Sequence, residues 1–187
     1  MTTSKTTKST SATRNALLEA AARVMVANGS KALTLEAVAR EAGVSKGGLL
    51  YHFPNKEALI AGMLQQLIDQ KTASLKHELK QDDAPNTPGH WLRAYIRSFE
   101  NHNTHSSPMQ SAILAAVAEN PELLKPWQEK FADWQRLIEA SELDPAIATL
   151  IRLALNGLSF AYLFGLGVPQ ESLHKQVIET LLKLAQE

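Results

Sequence analysis

A chain of 187 residues with 44% hydrophobic and 20% charged residues carries enough apolar side chain for a sizeable buried core. Its 19 Lys/Arg balance its 19 Asp/Glu, which excludes a histone-like polycation and a disordered polyelectrolyte. It has no cysteine, which excludes disulfide scaffolds, thiolate zinc sites, iron–sulfur clusters and cysteine nucleophiles and fits a reducing cytoplasm.

Residues 1–12 are mostly Thr, Ser, Lys and Ala without periodicity. They are expected as a flexible basic arm, and they hold no apolar run that could serve as a secretory leader. Ala16, Leu17, Ala20, Ala21, Val24 and Ala27 then recur at helical spacing until Asn28-Gly29 stops the helix. Thr34 is an N-cap for a short helix ended by Gly43, and Ser45 caps a second one running to about His52. Asn55 caps a longer helix over 56–80, followed by a polar linker with two prolines over 81–88. Thr87-Pro88 is expected to start the next helix, with Pro at its first position. Further helices follow over 109–119, around Leu124 to Ile138, from Pro145 to about Phe164, and from about 170 to 185. No alternating strand pattern occurs. The expectation is an all-α chain of about nine helices, with a helix-turn-helix domain over 13–60 and a helical bundle over 61–187.

Pro145 to Val168 is apolar enough to test as a membrane span. Arg152 and Asn156 lie in its middle, and a charge there is costly in lipid. It is read as a buried helix of a soluble protein, so no membrane partner is expected.

The zero net charge is unevenly spread. Residues 1–56 carry 8 basic and 3 acidic side chains, a net +5, and the remainder carries −5. A basic front on an acidic body points to a polyanion partner for the front alone.

The most informative stretch is Thr34 to Lys56, TLEAVAREAGVSKGGLLYHFPNK. Two short helices joined by Ala42-Gly43-Val44-Ser45 make a helix-turn-helix. Ala39 has to be small where the helices cross, and Gly43 suits a turn that needs a positive φ. Val38, Val44 and Leu49 close the apolar wedge, and Leu50 and Phe53 are also placed in the core. The second helix then presents Ser45, Lys46, Gly48, Tyr51 and His52, and such a helix fits the ~12 Å major groove of DNA. An ordinary corner in a helical bundle carries the same spacing.

Residues 14–60 resemble the DNA-binding domain of the tetracycline-repressor (TetR) family of bacterial regulators. The matching residues are the first helix through Asn28-Gly29, Thr34, Val38-Ala39, Ala42-Gly43-Val44-Ser45, Leu50-Tyr51-His52-Phe53 and Asn55-Lys56-Glu57-Ala58-Leu59. The resemblance implies a homodimeric, cytoplasmic bacterial regulator on an inverted-repeat operator in double-stranded DNA. It also implies a second domain that dimerises and holds a small-molecule inducer, which makes the chain a ligand-released repressor. Lys46 is placed to reach a base edge or phosphate, Tyr51 and His52 to reach phosphate, and Thr34 and Ser45 to hold phosphate at helix starts. Lys56 resembles the family's backbone-clamping lysine, and Gly47 and Gly48 let the helix approach the groove closely. The alternative is a helical ligand- or protein-binding module that does not bind DNA.

Gly157, Ala161 and Gly165 form a small-residue stripe that suits close pairing of two helices, either between two chains or within one. With Arg152, Val177 and Leu181 they are the candidate dimer residues. Trp91, Tyr95, Phe99, Trp127, Phe131, Trp134, Asn156 and Phe160 are the candidate ligand-pocket residues, although aromatics at this spacing also build cores. Arg152 and Asn156 suit either a polar inducer or a polar contact at the dimer interface. His102 and His105, with His90 one helix away, lack an adjacent acid or cysteine, so no metal and no cofactor are expected. Gly165-Leu166-Gly167 follows no strand, and the chain has neither HExxH nor a serine nucleophile elbow, so no enzymatic activity is expected.

Overall fold

The computed structural model describes residues 3–85, 87–102, 108–140 and 142–186, with side chains described for 12–85, 87–100, 109–140 and 142–186. The described residues form nine α-helices and no strand. The helices are α1 (Thr3–Asn28), α2 (Leu35–Glu41), α3 (Lys46–His52), α4 (Lys56–Gln81), α5 (His90–His102), α6 (Pro108–Glu119), α7 (Lys125–Glu139), α8 (Pro145–Phe164) and α9 (Glu171–Leu184). Single 3-10 turns lie at Ser30–Ala32 and Pro121–Leu124.

Side-chain caps set several of these boundaries. Thr34 Oγ1 accepts from the Ala37 amide at 3.1 Å, and Ser45 Oγ accepts from Gly48 at 3.1 Å. Asn55 Oδ1 and Asp144 Oδ1 accept from Ala58 and Ala146, each at 2.7 Å. Each satisfies an amide that has no partner inside its helix. Gly165, at φ 64°, closes α8 in the left-handed region.

Several boundaries and environments depart from expectation. α1 begins at Thr3, so the backbone expected as an arm is helical. Residues 3–15 contain no Gly or Pro, and lengthening an existing helix needs only propagation. The side chains of Lys5 and Lys8 lie outside the described residues. α5 starts at His90 rather than Pro88, because Gly89 takes φ +77° and interrupts the helical path. Leu50, assigned to the core, is exposed on α3.

By contact the chain forms two compact units, Met1–Leu67 with Ser107–Pro126, and Ile68–Ser106 with Trp127–Glu187. The expected boundary near residue 60 falls inside α4, which runs from one unit into the other. In the first unit α1 packs on α2 and α6, and α2 packs on α3. Leu17, Leu18, Val38, Leu49, Leu59 and Met63 are fully buried there. In the second unit α5 packs on α8 and α9, with Ile96, Trp134, Ile138, Ile151 and Leu155 in the core.

Gly62 marks the tightest approach in the first unit. A Cβ there would lie 2.7 Å from the Phe53 ring and 3.1 Å from Leu18 Cδ2, and both side chains are buried. Overpacking of this kind costs about 1–3 kcal/mol. Gly62→Ala is therefore expected to lower the thermal midpoint by several degrees in scanning calorimetry. An unchanged midpoint would mean that Phe53 repacks freely.

α8, expected as a buried helix, is buried on one side only. It is long and apolar enough to cross a membrane by length and composition. However, Ala148, Ile151 and Leu155 face the core, while Leu150, Leu153, Phe160 and Phe164 remain exposed. Its apolar surface is covered on one side only, and Thr149, Arg152, Asn156 and Ser159 run along the helix as a half-buried polar stripe.

Candidate functional site

The turn between α2 and α3 is built as the sequence demands. Gly43 takes φ +68°, and Val44 N–H donates to Ala39 O at 2.9 Å. Val38, Ala39 and Leu49 are buried beneath it. Arg23 Nε on α1 donates to Glu41 at 2.7 Å, an ion pair between α1 and the end of α2.

This packing leaves one face of α3 open. Ser45, Lys46, Gly47, Gly48 and Tyr51 are exposed, and His52 is half-buried. Tyr51 is 80% exposed, its ring set edge-on to His52 at 5.1 Å. No atom lies within 4 Å of where a Gly47 Cβ would sit, so close approach to this face is unobstructed. The Thr34 and Ser45 oxygens accept backbone amides, which leaves each hydroxyl hydrogen free to donate outward.

Two lysines have partners that the sequence did not reveal. Lys46 forms an ion pair with Glu36 across the two helices, and its ammonium holds the Glu36 carboxyl below the usual carboxylate range. Both side chains are more than half exposed, so the pair is easily exchanged for another anion. Lys56 Nζ donates to the Ser30 carbonyl at 3.2 Å, and Ser30 Oγ donates to Glu119 on α6. Arg14 lies over the Phe53 ring at 5.1 Å. Their separation in sequence, 10 residues for Lys46–Glu36 and 26 for Lys56–Ser30, hid both lysine contacts.

In the second unit the aromatic residues form a connected array. Trp91 stacks on Tyr95 at 5.1 Å, and Tyr95 meets Trp134 edge-on at 5.7 Å. Phe131 lies 5.2 Å from Trp134 and 5.3 Å from Trp127. Burial pushes the Tyr95 phenol up to about 12, so it stays a neutral donor. Tyr95, Phe99 and Trp134 are core residues. Trp91 and Trp134 also line a groove of about 520 Å³ between α4, α5 and α7, of which Asn156 is not a lining residue. Phe160 is a correction. It is 57% exposed and stacks on Phe164 at 6.0 Å, outside the aromatic array. It stands five residues beyond core-facing Leu155, about 140° around the helix.

The candidate dimer residues also divide. Gly157 and Gly165 are exposed and Ala161 is half-buried. Leu181 is a core residue and Val177 packs against the core, because the apolar stripe of α9 is taken up inside its own chain. Arg152 donates to Gln135 Oε1 on α7 at 2.8 Å. Leu150, Leu153 and Phe164, not among the candidate dimer residues, are exposed on α8 at three- and four-residue spacing with Gly157 and Phe160. His90 Nε2 contacts the Leu79 carbonyl at 3.1 Å, whereas His105 and the His102 side chain lie outside the described residues. Among the described residues no three metal-ligating side chains cluster.

Comparison with known proteins bears on this geometry. Residues 17–63 match the family model for bacterial regulatory proteins of the tetR family, and residues 89–186 match the tetracyclin repressor-like C-terminal domain. The chain belongs to the TetR family. The HTH-type transcriptional regulator RutR of Escherichia coli K12 is 41% identical over 96 residues, 51% of this chain. That match spans less than half of RutR, 43% of its length. The TetR fold recurs in a regulator from Rhodococcus sp., with a TM-score of 0.63 and 22% identity over 95% of this chain and all of that one. It recurs in the SmeT–triclosan complex, with a TM-score of 0.67 and 21% identity over 92% of this chain and 90% of that one. Within the TetR frame, α3 is the second helix of the helix-turn-helix, and α5 and α7 to α9 of the second unit lie in the carboxy-terminal family domain.

Proposed function

We propose that this chain is a homodimeric, cytoplasmic transcriptional repressor that binds an inverted-repeat operator through α3 and is released by a small molecule held in its second unit. The observation that carries the DNA reading is the open face of α3. Lys46 and Tyr51 stand exposed there, beside two glycines, in a segment of net charge +5. A helix with small residues at its centre sits deep in the major groove, and its flanking side chains then reach bases and phosphates. Thr34 and Ser45 donate to phosphate, as do Tyr51 and His52. Lys56 acts by holding the Ser30 turn against the start of α4.

The dimer reading rests on the exposed side of α8. Leu150, Leu153, Gly157, Phe160 and Phe164 recur at intervals of three and four, the seam spacing of paired helices. A continuous apolar surface of this kind marks an interface. Gly157 lies at its centre, where two helices cross closely. The ligand reading rests on the Trp91–Trp134 groove and on the triclosan bound by SmeT.

Selection of DNA from a random pool with the purified protein tests this function. A palindromic consensus with half-sites one or more helical turns apart is expected. Lys46→Ala is expected to weaken that operator roughly 5- to 150-fold and relax preference at one position per half-site. No enrichment, with the ligand-free refolded protein at low salt, would leave a helical module that does not bind DNA.

A further inference from the structure

We propose that the groove between α4, α5 and α7 binds a flat aromatic carboxylate, its ring against Trp91 and Leu137 and its charge at Lys76 and Lys130. The proposal rests on the reading of the second unit as the ligand-responsive part, and it names the chemical class of the ligand.

Size comes first. The groove encloses about 520 Å³, within the range of small-molecule sites. Its apolar wall is prepared and rigid. Tyr95 stacks on Trp91 and meets Trp134 edge-on, so the half-buried Trp91 indole is backed by buried rings. Leu137 on the same wall is 50% exposed, which leaves apolar surface uncovered in the free protein.

Charge selects the ligand's sign. Of the groove's ionic side chains, Arg136 is paired with Asp133. Lys76 and Lys130 have no acidic partner among the described residues. The Lys130 ammonium lies 5.7 Å from the Trp134 ring centre, which keeps it at the wall rather than trailing into solvent. Residues 57–187 carry a net −5, so two unpaired cations on one apolar groove run against the charge of their surroundings. An aromatic cation would be repelled here, and a neutral ring would leave both lysines unused.

One lining residue also carries a buried polar atom without a partner. Thr72 Oγ1 on α4 is buried without a hydrogen bond among the described residues, and Thr72 lines the groove. Buried hydroxyls in native proteins are nearly always satisfied. Once the Thr72 side chain turns toward the groove, a ligand oxygen supplies the missing acceptor, and a carboxylate is the strongest one available.

The test is calorimetric titration of the full chain with 2-naphthoate, its neutral analogue 2-naphthylmethanol and its cationic analogue 2-naphthylmethylammonium. Saturable binding of one naphthoate per chain is expected, at least tenfold tighter than the alcohol, with the cation weakest. In the K76M/K130M double variant naphthoate is expected to fall to the affinity of the alcohol. Thr72→Val is expected to weaken naphthoate severalfold while raising the thermal midpoint of the free protein, a combination that a misfolded variant cannot produce. Absence of saturable naphthoate binding overturns the proposal, as does equal binding of naphthoate and alcohol. If the protein selects an operator that another small molecule releases while naphthoate fails to bind, the anion assignment falls and the repressor reading survives. If naphthoate binds but no DNA is selected, the groove assignment stands and the repressor reading falls.

Discussion

Phe160→Glu is expected to convert the protein to a monomer and abolish operator binding. In the proposed dimer Phe160 lies mid-way along the apolar face of α8, between Gly157 and Phe164. A twofold axis makes every substitution count twice, because the same patch serves both partners. An unpaired charge desolvated at an interface costs about 2–5 kcal/mol. Two copies therefore raise the dissociation constant by roughly a thousandfold or more. The fold should survive, since the side chain is exposed within its own chain and the core residues of α8 are untouched. Sedimentation velocity reads the oligomeric state, and fluorescence anisotropy with the selected operator reads DNA binding. A monomer that keeps its circular dichroism but loses the operator would confirm that two reading heads are needed. A variant that remains dimeric would move the interface elsewhere.

Arg93→Ala is expected to be the most destabilising single change in the second unit. Arg93 is 4% exposed and donates through all three guanidinium nitrogens. It meets Asp82 twice, at 2.9 and 3.1 Å, and also reaches Thr87 Oγ1 and the carbonyls of Pro88 and Ala84. These bonds tie the α4–α5 connection together. Gly89, within the same turn, has no room for a side chain, since a Cβ there would lie 1.9 Å from the Ala185 carbonyl oxygen. Removing one partner of a buried pair leaves the other charge uncompensated, a loss of about 3–5 kcal/mol. Arg97, 2.9 Å from Asp82, keeps the loss toward the lower end. A fall in thermal midpoint of about 10 °C is expected for a chain of this size, read by circular dichroism. The same cluster predicts acid sensitivity. The Arg93 guanidinium, above all, holds the Asp82 carboxyl below its ordinary 3.8. The unfolded chain therefore binds this proton at higher pH than the folded one. The stabilisation is complete above about pH 4 and is lost as pH falls through the lower folded value. Wild-type stability should drop across that acid range, and the drop should shrink in the Arg93 variant.

Much of the architecture was legible in the sequence. The caps Thr34, Ser45, Asn55 and Asp144, and the stops Gly43 and Gly165, act on amides and backbone angles within a few residues of themselves. Periodicity at three and four residues needs only one helix to be visible. These local signals, with the basic charge of residues 1–56, were enough to locate the helix-turn-helix and its open face.

What lay beyond reach were choices made between distant segments. α8 carries apolar residues on more than one face, so its own sequence could not say which of them meets the core. Packing against α5 and α9 decided that, and it moved Phe160 from a pocket to a surface. The return of α6 to α1, the capture of Lys46 by Glu36 and the unpartnered Thr72 hydroxyl are of the same kind. So is the reach of Arg93 to Ala185, 92 residues away. The sequence by itself determined most of the helices, the capped ends among them and the helix-turn-helix, because those depend on neighbours along the chain. Tertiary structure alone decided which apolar faces are covered and which polar atoms find partners, because burial and hydrogen bonding depend on whatever the fold brings alongside.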